Sequence, residues 1–310
     1  MFLESSVDRF AVGFAVLVAV AAFIFVHSSR YQHKQVFMFW QQVGLPMGTD
    51  QIQESLRVRL RRSHKASFYG GLTGGLVAAW QLVMTPNASL SFSFVMLTVF
   101  PAVLIGATLF DVAAMMKDAV AAPRRDVPRL ARAQAVSVTD YISSWRFWSA
   151  PAITLLAVVL GVAGLVMGTV GVIDLGNLLQ GAALPFLFIA VIVQVACWTA
   201  LRKIMQKAQT VSSTLELAWD DAVRAHTVLK VGMLATVMAW LAFSAMGLAV
   251  LEGMGVATPG STALIIAQTT PMLGCSGIFM VFRYGSSFNY FRHHLWPEIG
   301  ATKVVLGQGA

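Results

Sequence analysis

Seven apolar runs dominate this chain of 310 residues, and they restrict what it can become more than any other feature. A hydrocarbon layer of about 30 Å is crossed by a helix of about 20 apolar residues. The runs fall at about 9–27, 67–84, 91–113, 148–170, 178–201, 229–251 and 262–283. In lipid every backbone amide must find its partner within the protein, which leaves helices and closed barrels. Runs this long and evenly apolar lack the alternation of barrel strands. Apolar residues reach 57% and charged residues only 12%, about half the charged share of a soluble domain. The expectation is an all-α integral membrane bundle of seven helices, one transmembrane domain over 1–310 with no separate soluble domain.

The charges give that bundle a direction, because Lys and Arg in short loops stay on the cytoplasmic side. Residues 27–66 hold seven basic residues, 111–147 six, 202–230 five and the tail from 283 three, together all but Arg9 of the 22. The other connections, 85–90, 171–177 and 252–261, hold none. The pattern predicts an outside N-terminus and a cytoplasmic C-terminus. Basic loops of this kind attract anionic lipid headgroups, at about 1 kcal/mol per charge near the surface. The bilayer and its anionic headgroups are therefore expected partners. No basic module stands apart from the helices, so no nucleic-acid role is expected. The leading segment sets Glu4 and Asp8 against Arg9 and stays apolar past Ala19-Val20-Ala21 to Val26; this reads as a retained span, not a cleaved leader.

The basic side also carries the longer connections. Phe37, Phe39 and Trp40 in "VFMFWQQVGLPM" suit an interfacial segment. Residues 50–65 read as an amphipathic basic helix with Asp50 as a cap, and "STLELAWDDAVRAH" at 213–226 is helical in pattern. A repeat is visible too. Apolar triplets end at Met84, Met167 and Val250, and a proline follows each in the next span, at Pro101, Pro185 and Pro271. The chain thus reads as one helix plus three hairpins, and transporters are often built from such repeats. Each proline lacks an amide hydrogen and crowds the carbonyl four residues earlier, so bends are expected at all three.

Candidate chemistry is sparse. Gly274-Cys275-Ser276-Gly277 has the G-x-S-G form that frames the serine of rhomboid-type intramembrane proteases. The later histidines, His293 and His294, lie in the tail, so a tight helix contact is the stronger reading. A retinal pigment needs a lysine inside its last helix, and 262–283 has none. Asp111 and Arg283 lie near the inner ends of their spans, at headgroup level. Gln268, Thr269 and Thr270, with Gln194, are candidates to line a polar cavity between bent helices. The Gly70-Gly71 and Gly74-Gly75 pairs read as a close-packing face. Cys197 and Cys275 sit in apolar runs and are expected to be free thiols. No metal pattern, phosphate-cradling loop or nucleotide fingerprint appears, so no catalytic residue and no cofactor is expected.

"LELAWDDAVRAH" at 215–226 and "DYISSWRFW" at 140–148 resemble stretches in a group of uncharacterised multi-pass membrane proteins of actinobacteria. Members of that group often occur beside GntR-class regulators and ATP-binding cassette subunits. The resemblance carries no catalytic or binding residues with it, but it implies association with transport or efflux. On that reading the chain is a membrane subunit or partner of a transport complex, with Trp219, Asp220 and Asp221 offered to a cytoplasmic ATP-binding subunit. The alternatives are a stand-alone seven-helix sensor or structural membrane protein and, behind it, an intramembrane serine hydrolase.

Overall fold

The computed structural model describes residues 28–46, 49–84, 98–120, 136–174, 183–207, 209, 213–258, 260–283 and 290–298. Within these residues all regular structure is helical. The elements are α1 (Ser29–Val43), α2 (Asp50–Met84), α3 (Phe100–Val120), α4 (Val138–Tyr141), α5 (Ser144–Thr169), α6 (Ala183–Gln206), α7 (Thr214–Gly253), α8 (Thr262–Arg283) and α9 (Tyr290–Leu295). Five of them, α3, α5, α6, α7 and α8, are long and apolar enough to cross a membrane. This is a multi-pass membrane protein. The expected span at 9–27 lies outside the described residues. The one at 67–84 is the C-terminal half of α2, where four glycines, Tyr69, Thr73 and Gln81 dilute the apolar character.

Two helical segments on the basic side run unbroken into the spans that follow them. The basic segment 50–65 continues without a break into 67–84, and 213–226 continues into 229–251. Neither junction holds a proline or a glycine to stop the helix. Asp50 is the first residue of α2, where a carboxylate favours the helix dipole.

Backbone contacts divide the chain into two compact units. The first comprises Met1–Ala133, Ala208–Arg224 and Phe291–Ala310; the second comprises Gln134–Lys207 and Ala225–Tyr290.

In the first unit α2 and α3 form the most extensive helix pair. Leu56, Leu60, Ser63, Gly70, Gly74 and Ala78 are buried at steps of three, four or seven residues along α2, which puts them on one face. A Cβ at Gly70 would lie 2.1 Å from the Gly106 carbonyl oxygen, and one at Gly74 would lie 2.0 Å from that of Ala102. The two backbones therefore touch, as in small-residue contacts between membrane helices. Gly71 and Gly75 differ, because a Cβ at either would meet Val103 or Ala107 side-chain atoms at an ordinary 3.6 Å.

In the second unit α7 is the central element. It buries 67% of its apolar window, against 11 to 28% for the other four long apolar helices. Met246 packs over Gly161 of α5, Ser149 and Thr236 hydroxyls meet at 3.2 Å, and Ala183 of α6 joins a core with Met246, Ala249 and Val250. The outer faces stay apolar: Leu155, Val159 and Val162 of α5, Phe188 and Ile192 of α6, and Ile266 and Leu273 of α8 are exposed. That is the distribution lipid asks for, since hydrocarbon solvates such faces.

Pro271 lies inside α8, as Pro151 does inside α5. Pro101 is the second residue of α3, after a π-turn at 98–99 and Phe100, where its missing amide hydrogen displaces no bond within α3. Pro185 is the third residue of α6 as described, and a ring in a first helical turn displaces no helix hydrogen bond.

The glycine contact makes a sharp prediction. Gly74→Ala should destabilise the detergent-solubilised protein by about 1–3 kcal/mol through overpacking. Gly75→Ala should be neutral or slightly stabilising, since alanine favours the helix by up to about 1 kcal/mol. Equal melting temperatures for the two variants would refute the backbone contact.

Candidate functional site

The first unit holds a cavity of about 300 Å³ built from α1, α2 and the start of α7. That is the lower end of the range for small-molecule sites, about 300–1,000 Å³. Its shape follows from how α1 ends. Gly44 adopts a left-handed φ of 68° and its amide bonds the Trp40 carbonyl, a conformation that glycine takes without steric cost. The Trp40 indole then donates to the Leu45 carbonyl at 2.9 Å. Arg292 of α9 donates to the Gly44 carbonyl at 3.1 Å, a cation placed on the negative end of α1.

The walls are aromatic and aliphatic. Phe37 and Trp40 rings stand 5.5 Å apart, and Phe39 faces Trp219 at 6.4 Å. Val36, Ile52 and Leu56 complete the apolar lining, with Gln53 beside them. His33 and Arg57 also line the cavity. Arg57 donates from one terminal nitrogen to Glu54 at 2.7 Å and from the other to His33 Nδ1 at 3.4 Å. Its Nε–H is buried without a hydrogen-bond partner among the described residues. The cavity therefore pairs an apolar interior with a guanidinium that retains an unused donor. It suits an amphipathic molecule with an anionic head.

Next to the cavity, Trp219, Asp220 and Asp221 form an internal knot. Trp219 is 3% exposed and Asp221 0%. The Trp219 indole donates to the Pro46 carbonyl at 3.2 Å. Asp220 accepts from Arg59 at 3.3 Å and from Gln209 at 3.0 Å. Asp221 accepts from Gln209 at 2.8 Å and from the Trp296 indole at 2.9 Å. Of the three side chains that the sequence suggests as a coupling surface, Trp219 and Asp221 are buried and Asp220 stays partly exposed, and all three join distant segments of one unit. A second buried carboxylate, Asp111, accepts the hydroxyl of Ser63 across the α2–α3 contact. The sequence placed Asp111 near a helix end; α3 runs on to Val120, so it lies well within the helix.

The suggested polar cavity residues are arranged differently. Thr269 bonds back to the Ile265 and Ile266 carbonyls and Thr270 to that of Ile266. Such bonds within one helix satisfy a hydroxyl in lipid without a neighbour. Gln268 directly precedes them on α8, whereas Gln194 lies on α6 with its Oε1 buried and without a hydrogen-bond partner among the described residues. The G-x-S-G stretch has a packing explanation. A Cβ at Gly274 would fall 1.9 Å from the Trp240 ring, and the Trp240 indole donates to the Thr270 carbonyl at 3.2 Å. Gly274 is the seat of Trp240. Cys197 and Cys275 are free and buried. The side chain of Arg283 lies outside the described residues. No group of three or more His, Cys, Asp or Glu side chains placed to hold a metal occurs among the described residues.

Comparison with known protein families, curated proteins and solved structures finds no match to this chain.

The knot predicts unequal costs. Asp221→Ala removes a fully buried carboxylate from two part-buried donors, Gln209 and the Trp296 indole, and should cost about 1.5–3 kcal/mol. Asp220→Ala removes a partly exposed pair and should cost under about 1 kcal/mol from that pair. Chemical denaturation in mild detergent reads the difference, and an Asp221 variant as stable as the parent would contradict the internal role.

Proposed function

We propose that this multi-pass membrane protein binds an amphipathic anion at the membrane boundary and serves a transport or efflux complex as membrane subunit or partner. The observation that carries the reading is the cavity of α1 and α2: aromatic walls formed by Phe37, Phe39, Trp40 and Trp219, with the Arg57 guanidinium among its lining residues. An apolar body would be held by the rings and an acidic head by Arg57, with charge-assisted hydrogen bonds of about 1.5–3 kcal/mol. Phe37 is half exposed, which gives a chain entering from the interface a path inward.

The setting is a bacterial plasma membrane with the N-terminus outside and the basic loops and C-terminus in the cytoplasm. The charge distribution supports this orientation. With this orientation the cavity would face the cytoplasmic side, where an exported amphiphile would be collected. The resemblance of 140–148 and 215–226 to proteins found beside ATP-binding cassette subunits supports the transport context and a cytoplasmic ATP-binding partner. Trp219 and Asp221 are committed inside the first unit, so that partner would dock elsewhere on the basic side. The lone-sensor reading shares the cavity and differs only in having no ATPase.

Two measurements test the proposal. Dodecyl phosphate should quench or shift the tryptophan fluorescence of the detergent-solubilised protein, while dodecyltrimethylammonium should not. Arg57→Gln should weaken the dodecyl phosphate response by roughly tenfold, equivalent to about 1.4 kcal/mol. An unchanged response in Arg57→Gln, or equal responses to both amphiphiles, would refute the site. A tagged pull-down from native membranes then reads the context. Co-purification of a stoichiometric ATP-binding subunit supports the transport role. Recovery of the protein alone, with export unaltered in cells lacking it, would remove that role and leave the sensor.

A further inference from the structure

The start of α5 carries a second, separate demand for an anion. Ser143 caps the helix with φ −59° and ψ 141°, but its side chain makes no capping bond. Its Oγ is buried with no hydrogen-bond partner among the described residues. Three residues on, Arg146 is 8% exposed. Its Nε is buried without a hydrogen-bond partner among the described residues, and its guanidinium lies 4.9 Å from the centre of the Trp145 ring. The carboxylate nearest to it in sequence, Asp140, is taken by the Ser137 amide at 2.7 Å and hydroxyl at 3.0 Å.

A buried guanidinium without a counter-charge is costly. The local geometry indicates where its counter-charge belongs. Side chains lean toward the N-terminus of their helix, and Arg146 does so, lying over the preceding residue. It therefore points to the end of α5 where the first amides have no partner within the helix and the helix dipole is positive. The Arg146 and Phe147 amides are taken by the Ser143 carbonyl, so the Ser143 hydroxyl, the Ser144 and Trp145 amides and the guanidinium are the donors this turn offers, the set that phosphate oxygens accept from.

The surroundings identify the source of the phosphate. Trp145 and Trp148 are 58% and 61% exposed, and they flank Arg146 at the end of a helix long enough to cross the bilayer. Exposed tryptophans at a span end mark headgroup level. We propose that the N-terminus of α5 binds the phosphodiester of an anionic phospholipid through Arg146 and Ser143. A headgroup with its own ammonium, such as choline, would bring a second cation toward the guanidinium and is disfavoured.

Thermal unfolding of the full chain in an uncharged detergent, with added lipid, tests this. Phosphatidylglycerol should raise the melting temperature of the parent, while phosphatidylcholine and inorganic phosphate should not. Arg146→Gln should require at least roughly tenfold more phosphatidylglycerol for the same shift, the worth of one charge-assisted hydrogen bond. Should Arg146→Gln fail to fold, Ser143→Ala keeps the guanidinium and should still weaken the response. Arg57→Gln, in the cavity of the other unit, should leave it intact, which separates this site from that one. Equal stabilisation by phosphatidylcholine, or a full phosphatidylglycerol response in both Arg146→Gln and Ser143→Ala, would overturn the proposal. Stabilisation by inorganic phosphate alone would overturn the lipid source.

Discussion

The close approach of α2 and α3 is the contact on which the first unit depends. Lipid tails are as apolar as leucine, so helices in a membrane gain little from hiding apolar surface and must gain from fit. Gly70, Gly74 and Gly106 supply that fit by letting carbonyl and Cα atoms touch. The register so fixed sets Ser63 against Asp111. It also holds the N-terminal half of α2 where Ile52, Leu56 and Arg57 line the cavity and Arg59 meets Asp220.

The charged groups divide unevenly between structure and potential function. Three carboxylates, Asp111, Asp220 and Asp221, are engaged by neighbours within the first unit. Arg57 and Arg146 each keep a buried Nε–H without a hydrogen-bond partner among the described residues. An excess of 22 basic over 14 acidic residues makes such a surplus of donors natural. In a membrane protein the ready acceptors are phosphate and carboxylate heads at the interface. Both proposed sites rest on this asymmetry, one lined by aromatic rings and one at a helix end.

The transmembrane character was legible because length and hydropathy alone decide it, and the last span, 262–283, matches α8 at both ends. Helix ends on the basic side were less legible. The pattern suggested a basic helix at 50–65 leading into the next span and a helical stretch at 213–226, but not that each is one unbroken helix with its span; that depends on local breakers, and none intervenes. A 40-residue helix such as α7 is about 60 Å long, twice the hydrocarbon thickness. The roles of Trp219, Asp220 and Asp221 were hidden for another reason. Their partners Pro46, Arg59 and Trp296 lie 173, 161 and 75 residues away, beyond any local pattern. The aromatic cluster at 37–40 was visible as an interfacial segment. That it closes a cavity needed the opposing face of α2. For Gly274 the motif has the form of a nucleophile frame, but a tight contact was the stronger reading, and Trp240 occupies the place of the absent Cβ.

Native mass spectrometry of the protein drawn from its own membrane in mild, uncharged detergent tests the central claim most directly. The account predicts an amphiphilic anion retained on the chain and lost when Trp40 and Arg57 are replaced together by alanine and glutamine, with lipid bound at Arg146 unaffected. A chain that emerges bare, or one whose bound species are the same in the parent and the double variant, would contradict it.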